Sequence, residues 1–116
     1  MKKDKIQDAL LRNKITAEYT KFREDALYTD SLSDVYYNAF TISNMFEIYL
    51  LFQRSLDAFS DDQKNILQKM PNILHTIHEC WQKTEDDSQN ALAQCVHSCI
   101  EYERDWDNIE KELRYL

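Results

Sequence analysis

The chain has no glycine in 116 residues and a single proline, Pro71. Tight turns, strand bulges and left-handed helix ends draw on glycine. So do the loops whose backbone closes around phosphate groups. A chain without it predicts helices joined by short polar links. The expected fold is all-α, a four- to five-helix antiparallel bundle in one compact domain spanning residues 1–116. At 43% hydrophobic and 12% aromatic the chain is too apolar for disorder, despite 30% charged residues. Its length supports a real core without metal or disulfide help.

The formal charge of -7 argues against nucleic-acid binding, because a phosphate backbone must be met by clustered Lys and Arg. It suits a protein partner with a basic surface. The first fourteen residues hold Lys2, Lys3, Lys5, Arg12 and Lys14 against Asp4 and Asp8, a net +3. The remainder therefore carries -10, and between Glu24 and Asp62 the one cation is Arg54. No window approaches the ~18 to 20 apolar residues of a membrane span. MKKDKIQDALLRNK lacks the apolar centre of a signal peptide. With an odd cysteine count of three, the expectation is a cytoplasmic protein with reduced thiols, no cofactor and no membrane contact.

Periodicity predicts a first helix over Lys3–Leu27, with Leu11, Ile15, Tyr19 or Glu18, Phe22 and Ala26 on one stripe. Ser31 or Ser33 is suited to cap a second helix, ending near Leu56. That segment is apolar on several sides, from Val35, Tyr36 and Phe40 through Met45 and Phe46 to Phe52, and is expected at the centre of the fold. Ser60 followed by Gln63 has the form of a capping box for a short helix holding Ile66, Leu67 and Met70. Pro71 is expected in the first turn of a fourth helix reaching Lys83. Thr84 is expected to cap a last helix from about Asp87, whose stripe runs Leu92, Cys95, Cys99, Tyr102, Trp106, Ile109, Leu113 and Leu116. Such a heptad seam packs along a bundle or pairs with a partner helix, so a homodimer or small subunit joined there is an alternative.

Two segments invite a metal reading: His75 and His78, and Cys95 and Cys99. Each pair shares a helix face, and zinc takes imidazole and thiolate. Cys95 and Cys99 nevertheless occupy seam positions where free cysteine serves as a small hydrophobe, so core cysteines are expected and a zinc-binding protein is the lesser alternative. Cys80, off the seam, lacks a facing base, and no catalytic motif is present; the expectation is no enzyme. Glu101, Glu103, Asp105, Asp107, Glu110 and Glu112 line the outside of the last helix, supported by pairs such as Glu110 with Arg114. They form a solvated face or, functionally, an acidic surface for a basic groove. With Tyr102, the residues Glu101, Asp105, Asp107, Glu110 and Glu112 are the candidate partner-binding set. Tyr28, Tyr37, Tyr102 and Tyr115 are the tyrosines expected at the surface.

LRNKITAEYTKFREDAL, LSDVYYNAFTISNMFEIYLLF, FSDDQKNIL and PNILHTIHECWQK, in that order over about Leu10–Glu103, resemble an uncharacterised family of short helical proteins. That family is a domain of unknown function from Firmicutes and their phages and mobile elements. It has no assigned activity to carry over. The resemblance implies a small accessory protein, with counter-defence by direct binding to a nucleic-acid-handling complex as one role.

Overall fold

The computed structural model describes residues 2–28 and 32–114, which form five α-helices and no strand. They are α1 (Lys2–Leu27), α2 (Leu32–Ser55), α3 (Asp61–Lys69), α4 (Ile73–Lys83) and α5 (Gln89–Arg114), with a 3₁₀ turn at Leu56–Ala58. The fold is the all-α single-domain bundle that the composition calls for.

α1 and α2 run antiparallel. Arg12 donates to the carbonyl and side-chain oxygens of Gln53, both at 3.0 Å, and Asn38 donates to the Ala26 carbonyl at 2.8 Å. The stripe expected on α1 is the one that packs. Leu11, Ile15 and Ala26 are buried, while Tyr19 and Phe22 lie against the core from its edge. Met45, Ile48 and Phe52 of α2 meet them, and Ile66, Leu67, Leu74, Ile77 and Leu92 complete one continuous core. Each such side chain contributes about 1.5–3 kcal/mol by leaving water.

α2 departs from expectation in its first half. Tyr36 and Phe40, expected in the core, are more than three-quarters exposed, as is Leu32. Helical steps of about 100° per residue put Leu32, Tyr36 and Phe40 on a line well over a quarter turn from the buried Met45, Ile48 and Phe52. The helix is apolar on several sides because it carries two separate faces, and only one is covered. Extending the buried line backwards meets Thr41, Asn38 and Asp34, which are polar. The helix starts at Leu32 with Ser33 inside it, and Ser31 lies outside the described residues.

α3 and α4 are too short to stand alone, so their ends are fixed by side chains. Ser60 accepts from the Gln63 amide at 3.1 Å while Gln63 returns a bond to the Ser60 amide at 2.8 Å, completing the expected capping box. Asn72, not Pro71, caps α4; Pro71 precedes the cap, outside the helix. α1 supplies the rest. Lys14 donates to the carbonyls of Leu67 at 3.0 Å, Gln68 at 2.7 Å and Met70, which close α3. One turn later Glu18 accepts from the Leu74 amide at 3.0 Å, at the opening of α4. A cation thus meets the negative end of one helix and a carboxylate the positive end of the next. Burial holds the Glu18 carboxyl above its ordinary range, partly offset by the Leu74 bond, and pulls the Lys14 ammonium down. Lys64 is buried with its ammonium 2.9 Å from Asp8. That bond raises its pKa and makes burial of the charge tolerable.

Candidate interaction surface

The link into α5 has to turn without glycine. Glu85 adopts φ 56°, in the left-handed region, within the loop that joins α4 to α5. Asp86 accepts from the Ser88 amide at 2.9 Å, and this bond holds its carboxyl below the usual range. Ser88 then caps α5 by accepting from the Ala91 amide at 3.1 Å. Thr84, expected in that role, ends α4 instead, donating its hydroxyl to the Trp81 carbonyl. The last helix accordingly starts at Gln89.

α5 packs antiparallel to α4, with the Cys99 sulfur 4.0 Å from the Thr76 carbonyl oxygen. Leu92, Cys95, Val96, Cys99 and Ile100 are buried. The same stripe then emerges into solvent: Tyr102, Trp106, Ile109 and Leu113 are between 45% and 63% exposed, and Leu116 lies outside the described residues. Length explains the change. With 26 residues against 11, α5 is about 39 Å long and α4 about 16 Å. α4 begins near the level of Tyr102, so nothing on it reaches the last three turns. Trp106, placed on the heptad seam by its spacing, is half exposed and stands edge-on to Tyr102 with centroids 6.2 Å apart.

The acidic candidates divide into two sets. Glu101 accepts from Arg104, which also reaches Asp62 on α3. Asp107 pairs with Lys111 at 3.2 Å and with Lys69 at 3.5 Å, and these cations hold its carboxyl low, Lys111 most. Glu101 and Asp107 therefore tie α5 to itself and to α3. At i,i+4 this helix pairs Asp107 with Lys111, earlier along it than the expected Glu110–Arg114. Asp105, Glu110 and Glu112 face solvent beside the exposed stripe.

A second apolar surface went unrecognised: Leu32, Tyr36 and Phe40, with the exposed Tyr28 near their start. Its signal was present in the polar residues that α2 places on the core side at those levels. Phe46, also expected inside, is 41% exposed but rests on Tyr19, with centroids 5.9 Å apart. Tyr37 and Tyr115 fall outside the residues whose side chains are described.

The four metal candidates do not converge. His75 is exposed and sits 3.0 Å from Glu79, His78 is buried in the α4 stripe, and Cys95 and Cys99 pack in the α5 seam. Among the described residues no group of three or more His, Cys, Asp or Glu side chains is arranged to hold a metal ion. Nor is any described helix long and apolar enough to cross a membrane. Compared with protein-family models, curated proteins and solved structures, the chain finds no match.

Proposed function

We propose that this chain is a non-enzymatic protein-binding module that seats the free half of α5 against a basic partner surface. The observation that carries the reading is the uncovered stripe Tyr102, Trp106, Ile109 and Leu113. It continues the buried seam and is flanked by the solvent-facing Asp105, Glu110 and Glu112. Exposed aromatic and aliphatic residues supply the desolvating centre of an interface, and charges at its rim choose the partner and speed encounter. A groove lined with Lys and Arg, of the kind that holds nucleic-acid phosphates, is the complementary shape and charge. That chemistry agrees with the accessory, counter-defence role implied by the family resemblance. Self-pairing through this face is the poorer reading, since it sets acidic flanks against acidic flanks.

Affinity capture with matched variants tests the proposal. Asp105→Lys, Glu110→Lys and Glu112→Lys together should abolish capture of a basic polypeptide that the unaltered protein retains. Trp106→Ala with Ile109→Ala should do the same, and capture by the unaltered protein should fall steeply with salt. Equal recovery of the same polypeptide by all three proteins would rule out this face. Light scattering on dilution should report a monomer; a dimer that persists would replace the basic partner with a second copy.

A further inference from the structure

We propose that Cys80 is the entry thiol of a redox latch between α4 and α5, closing a disulfide onto Cys95 or Cys99 on reaction with a small disulfide. This inference is independent of the binding reading above.

All three cysteines are free thiols, and the fold gathers them. Cys80 lies on α4 at the level of Cys95, as the antiparallel register set by Thr76 and Cys99 requires. It packs against the core cluster that contains both α5 thiols. An open groove of about 840 Å³ runs over the site, and both Cys80 and Cys99 line it. Reagents from solvent therefore meet a half-buried thiol that shares the groove with Cys99 and packs against the cluster holding Cys95.

Burial, with Cys80 as neighbour, pushes the Cys95 and Cys99 thiols up to about 12. They stay protonated near neutrality, and a reagent in the groove reaches first Cys80, the one thiol of the three that is not buried. The Cys80 thiol releases its proton to water, and its thiolate attacks one sulfur of the small disulfide. A Cys80–sulfur bond forms, the reagent's S–S bond breaks, and the departing thiolate takes up a proton. An α5 thiol then gives up its proton and attacks the Cys80 sulfur, expelling the second small thiolate, which is protonated in turn. Two protein thiols are oxidised by two electrons, and the small disulfide is reduced to two thiols. Proximity drives the second step despite the high proton affinity of the attacking group.

Glu79 and Glu103 outnumber Lys83 among the charged residues of the groove, so a neutral reagent, hydroxyethyl disulfide, is the suitable probe. After treatment of the folded, unaltered protein, two of the three thiols should resist alkylation. Non-reducing tryptic digestion should join the peptide 70–83 to the peptide 84–104. Cys80→Ala, checked for unchanged helicity, should leave Cys95 and Cys99 reduced and the peptides separate. Three thiols still reactive, a product arrested as the mixed disulfide, or a bond between Cys95 and Cys99 within α5 would each overturn the latch.

Discussion

His78 lies buried on the core stripe of α4 with no hydrogen-bond partner on Nε2. Burial pulls its imidazole below the ordinary 6.5, nearby His75 adds to the effect, and Glu79 opposes it. The unfolded chain takes up this proton near pH 6.5, while the folded chain resists until lower pH. Below 6.5 the unfolded state thus binds more protons, and stability falls with pH until the folded imidazole also titrates. Thermal melts from about pH 7 to about pH 5 should show this decline, at most about 1.4 kcal/mol per pH unit. His78→Leu should flatten the profile; an unchanged slope in that variant would assign the effect elsewhere. His78 was legible from spacing, because it falls in line with Leu74, Ile77 and Trp81. Glu85 was not, since its left-handed backbone follows from the tightness of a link that no local pattern announces. A non-glycine residue there costs about 1–2 kcal/mol, which the packing of α4 on α5 offsets.

At the scale of helices, signals that depend on neighbours in sequence were readable and those that depend on neighbours in space were not. The Ser60–Gln63 box is a four-residue pattern, and it forms as written. Ser88 and Thr84 compete for one short acidic link, and which of them caps α5 is settled by where α4 stops. The grip of Lys14 and Glu18 on the α3–α4 junction joins residues more than fifty positions apart, beyond the reach of any periodicity. Lys14→Ala should leave three helix-end carbonyls without their cation and cost about 1.5–3 kcal/mol. Hydrogen exchange in that variant should quicken first in α3, whose nine residues have little support of their own. Exchange that quickens uniformly over all five helices would show that the contact stabilises the whole fold rather than this junction.

For the molecule as a whole, the number of rods was legible but their overhangs were not. Heptad spacing on α5 states that one face is apolar along its length, without stating how far a partner helix extends. The described body measures 52 × 34 × 27 Å, and its long dimension accommodates helix ends that nothing else covers. Candidate surface residues were readable as acids on α5; that Glu101 and Asp107 are engaged with Arg104, Lys69 and Lys111 depends on how α3 crosses that helix. Covered and uncovered apolar positions should respond oppositely to substitution. Phe52→Ala should destabilise by about 3–5 kcal/mol in urea unfolding, whereas Tyr36→Ser with Phe40→Ser should shift stability by only about 0.5 kcal/mol per site. A loss comparable to that of Phe52 would place the α2 stripe within the core. The paired grip of α1 bears on how the chain assembles during synthesis. Lys14 and Glu18 leave the ribosome well before the junction they hold, so the docking template is made ahead of its cargo. Fragments divided in the link after α2 should then reassemble on mixing, with the earlier piece acting as the scaffold.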